Sequence, residues 1–148
     1  MKSRIFHTES EEETIALGES LATELPRKAV VLLIGNLGAG KTTIAKGIVK
    51  GLGAAQPAEV SSPTFTLVHE YEGTQDGKPV KLYHIDVYRL EGERQLETLG
   101  LDELLTPDAL VLVEWGDKFK SIKKRATGEI VITSEGGDAR KIAVTLKE

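Results

Sequence analysis

Between Gly35 and Thr43 the chain reads Gly-Asn-Leu-Gly-Ala-Gly-Lys-Thr-Thr, and no other stretch so narrows what it can fold into. An apolar run, Ala29 to Ile34, leads into it, and a helix-like run, Ile44 to Val49, leads out. A glycine, four residues, then Gly-Lys-Thr between a strand and a helix is the P-loop pattern in the context it requires. Closely spaced glycines let successive backbone N–H groups turn inward around a phosphate, with the positive end of the next helix aimed at it. Gly35, Asn36, Leu37, Gly38, Ala39, Gly40, Lys41, Thr42 and Thr43 are therefore candidate nucleotide-binding residues. Lys41 is placed to reach the β- and γ-phosphate oxygens, and the Thr42 hydroxyl to bind Mg²⁺.

A chain of 148 residues suits a single domain spanning 1–148 with one hydrophobic core. With no cysteine, disulfides, thiol catalysis and thiolate metal sites are excluded. No apolar run has the length of a membrane span, and the first residues lack the apolar core of a signal peptide. The expectation is a cytoplasmic protein with no membrane partner. A net charge of −4 argues against a free-standing nucleic-acid binder, which needs a dominant basic surface.

Taken in order, Ser10 with Glu13 three residues on reads as a helix start. Ile15, Leu17, Leu21 and Leu25, with Ala16 and Ala22, form its apolar stripe. Ala29 to Ile34 is a strand buried on both faces, as in a mainly parallel sheet. The next helix is predicted from about Lys41 to Leu52, ending at Gly53. Ser62-Pro63-Thr64-Phe65-Thr66 offers hydroxyl groups where P-loop enzymes place a loop that senses γ-phosphate and Mg²⁺, before a strand from Thr66 to Glu70.

A polar hairpin connection with an Asp-Gly turn, 71–79, returns into a strand ending near Asp86. A carboxylate late in such a strand is where a Walker-B-type acid belongs. His84 lies on the same strand face and reads as a packed histidine rather than a base. Residues 90–105 look helical, and Ala109 to Val113 is a second strongly apolar strand ending at Glu114-Trp115. A carboxylate there can hold Mg²⁺ or orient the attacking water. Lys118 to Arg125 carries five positive charges in eight residues, a solvated face or a dock for RNA or an acidic partner, with Phe119 and Ile122 packing inward. Gly128 to Leu146 reads as a C-terminal β-hairpin.

The P-loop, Ser62-Pro63-Thr64-Phe65-Thr66-Leu67-Val68, Tyr83-His84-Ile85-Asp86-Val87-Tyr88-Arg89-Leu90 and Val113-Glu114-Trp115, at these separations in so short a chain, resemble the bacterial TsaE (YjeE) family. That family is the small ATPase of tRNA threonylcarbamoyladenosine biosynthesis, and the resemblance runs from Ser10 to Arg140. It implies an α/β P-loop NTPase domain with a mixed, mainly parallel central sheet and a C-terminal β-hairpin. It implies ATP and Mg²⁺ as cofactors, with Thr42 and Glu114 as metal contacts and Asp86 in the Walker B place. Ser62 to Thr66 would be a switch-like loop, and Trp115 would lie beside the nucleotide. Ser10 and the Asp138-Ala139-Arg140 turn would approach the base. The implied partners are the TsaD and TsaB proteins, which modify the adenosine beside the anticodon, with tRNA met only through that complex. Low activity in isolation would fit a site completed by partners.

The chemistry expected from the residues is in-line attack of water on the γ-phosphate. Lys41, the loop amides and Mg²⁺ would neutralise charge, and Asp86, Glu114 or a residue near Thr64 would place water or metal. Arg89 and Arg94 are candidate arginine fingers, unless a partner supplies one. A small P-loop kinase is the alternative, but the chain has short connections and no arginine cluster to form a lid. A GTPase is disfavoured because no Asn-Lys-x-Asp sequence occurs. A nucleotide-gated binding module without intrinsic catalysis is the remaining reading.

Overall fold

The computed structural model describes residues 2–36, 38–61 and 68–147. The chain forms one seven-stranded sheet in the order β1-β7-β6-β2-β5-β4-β3. In sequence these are β1 (Lys2–Thr8), β2 (Ala29–Ile34), β3 (Val68–Gln75), β4 (Lys78–Asp86), β5 (Ala109–Glu114), β6 (Gly128–Ser134) and β7 (Arg140–Leu146). The centre, β6-β2-β5-β4, is parallel, and the flanking pairs β3-β4, β6-β7 and β1-β7 are antiparallel. This is the expected mixed α/β architecture with its C-terminal hairpin.

Strands β2 and β5 are buried on both faces, which is why they read as unbroken aliphatic runs rather than alternating ones. Val31, Leu33, Leu82, Leu110 and Leu112 face helices α1 (Glu11–Leu21) and α2 (Lys41–Gly51). Val30, Leu32, Ile85, Val111 and Val113 face the other way, toward Phe119 and Ile122. Those two aromatic and aliphatic residues anchor α5 (Lys120–Arg125), so the basic run is an amphipathic turn with its lysines outside.

Four expectations need correction. No element is expected from the sequence at the N-terminus, yet Lys2–Thr8 pairs with β7 from Lys2↔Leu146 to Thr8↔Arg140. The apolar stripe of α1 is only partly the one expected: Leu21, Ala22 and Leu25 are buried, but so are Thr14 and Gly18, whereas Ala16 is exposed and Ile15 and Leu17 are half-buried. The 71–79 connection is much shorter, because β3 runs on to Gln75 and only Asp76 and Gly77 turn the chain. Both have positive φ (52° and 77°), as a two-residue hairpin turn demands. Finally, residues 90–105 hold two short helices, α3 (Glu93–Glu97) and α4 (Leu101–Leu104), parted by Gly100 at φ 71°. The strand start at Thr66 lies outside the described residues.

Helices α1 and α2 meet through Gly18, Gly47 and Gly51. A Cβ at Gly47 would lie 2.1 Å from the Ile15 carbonyl oxygen, and one at Gly51 would lie 2.5 Å from that of Glu19. Gln75 closes the end of α1, its buried amide donating to the carbonyls of Ala22 (2.9 Å) and Leu25 (2.8 Å).

Candidate nucleotide site

The loop leaves β2 at Ile34 and becomes α2 at Lys41, so it sits at the C-terminal edge of the parallel strands, where α/β sheets bind ligands. Gly38 (φ 77°) and Gly40 (φ 111°) take backbone conformations that side chains disfavour, which fixes glycine at both places. Glycine at the N-cap leaves α2 without a side-chain cap. Helix α1, by contrast, is capped by Ser10, whose Oγ accepts from the Glu13 amide at 3.1 Å. Its Glu13 carboxylate in turn accepts from the Glu9 amide at 2.8 Å. The first-turn amides of α2 are therefore the ones open to an anion.

Lys41 is 6 % exposed. Its ammonium donates to the Gly35 carbonyl at 2.8 Å and stands 3.4 Å from the centre of the Trp115 ring. Burial holds its pKa below the usual lysine value, and the negative charges of Glu114, Asp86 and Asp117 pull the other way. Trp115 reaches this position from left-handed backbone (φ 66°), an uncommon conformation for a bulky residue. Tyr88 packs against it at 4.9 Å between ring centres, the rings tilted by 45°, and Lys118 ties the neighbouring turn by donating to the carbonyls of Tyr88 (2.7 Å) and Leu90 (3.0 Å).

The two acids come together through strand register. Asp86 pairs with Glu114 at the ends of β4 and β5, and both are buried, at 2 % and 3 % exposed. Alternation puts Leu82, His84 and Asp86 of β4, with Leu110, Leu112 and Glu114 of β5, on the face that α2 covers. Thr42 donates from its hydroxyl to Glu114 Oε2 at 3.2 Å, bridging loop and sheet. Asp86 accepts from the Tyr88 amide at 2.8 Å, fixing the turn that follows β4.

Lys41, Thr42, Asp86, Glu114 and Trp115 thus converge as the sequence suggests. A second group lies on the other flank of the loop, where a small cavity of about 80 Å³ is lined by Glu11, Thr14, Gly38, Gly40, Thr43, Asp138 and Arg140. Ser10 neighbours this cavity in sequence but spends its hydroxyl on the α1 cap. Asn36 accepts the Ala39 amide through its carbonyl at 3.0 Å, closing the loop's own turn. Leu37 and Thr64, with the rest of the hydroxyl-rich segment from Ser62, lie outside the described residues. Arg94 is exposed on α3, and Arg89 is exposed beyond β4.

Two features escaped the sequence. Arg140 fastens the loop from behind: its guanidinium donates to the carbonyls of Ala39 (2.6 Å) and Gly38 (3.3 Å), as well as to Gly137 (2.7 Å). An arginine opening a predicted strand carries no mark of that role. His84 is fully buried, as a packed histidine is expected to be, but the contact of its Nε2 with Glu114 Oε2 at 2.5 Å is not legible in the sequence.

Hard oxygen donors on Thr42, Asp86 and Glu114 suit Mg²⁺ better than softer metals. Among the described residues no group of three or more His, Cys, Asp or Glu could hold a metal alone.

A family model described as "Threonylcarbamoyl adenosine biosynthesis protein TsaE" matches residues 8–142. The tRNA threonylcarbamoyladenosine biosynthesis protein TsaE of Bacillus subtilis (strain 168) is 41 % identical over 145 residues, 98 % of this chain and 87 % of that one. Its namesake in Aquifex aeolicus is 44 % identical over 112 residues, 76 % of each chain. The crystal structure of Bacillus subtilis YdiB superposes with a TM-score of 0.71 at 35 % identity, covering 99 % of this chain and 87 % of that one. A match across this length, on a fold with the same architecture, places the chain in the TsaE family of tRNA threonylcarbamoyladenosine biosynthesis proteins.

Proposed function

We propose that the protein is a Mg²⁺-dependent ATPase whose turnover supports a TsaB–TsaD complex during threonylcarbamoyl modification of the tRNA adenosine next to the anticodon. The observation that carries this reading is the bond from Thr42 to Glu114, which joins an uncapped P-loop helix to a buried pair of carboxylates. Thr42 and Glu114 would hold a Mg²⁺ ion there, which would supply charge neutralisation on the β- and γ-phosphates. Lys41 shifts from the Gly35 carbonyl to the phosphate oxygens, exchanging a neutral acceptor for an anionic one. Amides at the start of α2 take the β-phosphate, Thr42 and Glu114 hold the metal side, and Asp86 faces the same space one strand away. Trp115 and Tyr88 wall the site on one flank; the Arg140 flank, with Thr43, receives the nucleoside end.

Among the described residues, Lys41 holds the loop at Gly35 from the front and Arg140 holds it at Ala39 from behind. A partner that supplies charge would complete the site. The test is phosphate release from ATP by the purified chain, with and without TsaB–TsaD. Turnover that needs Mg²⁺ and rises when the partners are added is the expected result. Phosphate appearing only on an added acceptor would make the protein a kinase, and failure to recover TsaD with the tagged chain would remove the partner.

Arg140→Ala tests the loop fastening. Losing a charge-assisted hydrogen bond to the Ala39 carbonyl should weaken nucleotide binding about tenfold. Folding should be little changed, because Arg140 lies at the end of the β6–β7 hairpin. Titration of Trp115 emission with ADP measures the affinity, and wild-type affinity in the variant would show the loop to be self-supporting.

A further inference from the structure

We propose that His84 is a positioning residue of this site, a strut beneath Glu114 that holds its carboxylate on Thr42 and ready for the metal; the inference rests on the ATPase reading above. Asp86 and Glu114 form the outermost row of the sheet, and His84 pairs with Leu112 one row deeper. From there its imidazole reaches up and across to the neighbouring strand, where Nε2 meets Glu114 Oε2 at 2.5 Å. Facing a carboxylate oxygen, Nε2 is the protonated nitrogen and donates. The Thr42 hydroxyl donates to the same oxygen at 3.2 Å. One carboxylate oxygen is thus fixed by two donors on two different elements.

Two further observations separate this arrangement from ordinary core packing. The other ring nitrogen, Nδ1, is buried with no hydrogen-bond partner among the described residues. Its neighbours on the same sheet face, Leu112 beside it and Leu82 one row deeper, show that an aliphatic side chain suits these surroundings and would leave no polar atom orphaned. What only a histidine-like donor supplies there is the bond to Glu114. The second is charge: Glu114 lies close enough to Lys41 to hold that ammonium's pKa up against burial, so where its carboxylate is fixed matters to the loop lysine. His84 does not act as a base, because its ring is fully enclosed at 0 % exposure. It acts through Glu114, as residues behind a metal ligand do.

The experiment compares His84→Leu, His84→Asn and His84→Gln in the full chain. Mg²⁺ is titrated into ADP-loaded protein with Trp115 emission as readout, and kcat and KM for ATP are measured in parallel. Thermal melts establish which variants are folded. His84→Leu should weaken the apparent Mg²⁺ affinity by about 10- to 100-fold, while ADP affinity without Mg²⁺ stays within about twofold. kcat should fall and KM for ATP change little, since the phosphate cradle is untouched. Gln, whose amide reaches as far as Nε2, should restore most of the Mg²⁺ affinity; Asn, which reaches only as far as Nδ1, should not. If His84→Leu does not fold, the Gln–Asn contrast alone decides. Wild-type Mg²⁺ affinity in the Leu variant, or Gln no better than Asn, would overturn the strut. A wild-type chain that binds no ADP with or without Mg²⁺ would overturn the ATPase reading as well, so the two failures are distinct.

Discussion

Gly47→Leu is expected to leave the chain without a stable fold, and Gly47→Ala to lower its melting temperature by about 5 to 10 °C. The cause is a backbone approach between α1 and α2 that has no room for a side chain. A Cβ at Gly47 would stand 2.1 Å from the Ile15 carbonyl oxygen, 2.9 Å from the Gly18 Cα and 3.0 Å from the Glu19 amide nitrogen. These are backbone atoms, so no rotamer change relieves them, and the helices must separate. Separation loosens Ile44 and Ile48, which are fully buried beneath this contact. Alanine gains about 1 kcal/mol of helix propensity over glycine, which offsets part of the overpacking but not all of it. Leucine adds three more carbons to the same clash, and against a total stability of about 5–15 kcal/mol that is enough to unfold the domain. Gly92→Ala is the control, with negative φ and nothing within 4 Å of an added Cβ. A circular-dichroism melt distinguishes the three; equal midpoints for Gly47→Ala and wild type would show that the helices can part without loss.

The same contact explains what the sequence concealed. An apolar stripe is found by counting aliphatic side chains, and that count finds Leu21, Ala22 and Leu25 but not Thr14 or Gly18. At Gly18 what is buried is backbone against backbone, and glycine has no hydropathy to count. β1 was invisible for a related reason. As an edge strand it buries little, with Ile5 60 % exposed, and its Lys-Ser-Arg-Ile-Phe-His-Thr pattern is too polar to announce a strand. Legible elements were those whose residues are dictated on both sides: β2 and β5, enclosed by two layers, and the loop, where positive φ at Gly38 and Gly40 fixes residue identity. Asp86 and Glu114 could each be placed at a strand end, but that they share one register position depends on β4 and β5 being neighbours. Long-range pairing of that kind is not written in either segment alone. His84 and Arg140 act through contacts to other elements, which only the assembled sheet brings within reach.

Lys41→Met is expected to reduce ATP hydrolysis by about 10³-fold while leaving the melting temperature unchanged or slightly higher. The catalytic loss follows from position: Lys41 carries the ammonium at the start of α2, and its present partner, the Gly35 carbonyl, is one that a phosphate readily outcompetes. The stability result follows from the sign of the pKa shift. Burial lowers the Lys41 pKa in the folded chain despite the pull of Glu114, Asp86 and Asp117. The unfolded chain therefore holds this proton more tightly than the folded one. The charged form weakens folding throughout neutral pH, and that penalty fades only as pH rises through the folded pKa toward the ordinary lysine value. Methionine keeps much of the stem's packing and removes the charge. The variant should also change the fluorescence of the single tryptophan before any nucleotide is added, because an ammonium 3.4 Å from the ring centre has been taken away. Three measurements on one protein then separate the roles of this residue. Turnover reports on phosphate, the melt reports on burial, and the nucleotide-free emission reports on the contact with Trp115. Turnover within about tenfold of wild type would place the chemistry elsewhere than the loop. A clear drop in melting temperature would mean that the acids Asp86 and Glu114 need this cation for folding, making it as much a structural counter-charge as a phosphate ligand.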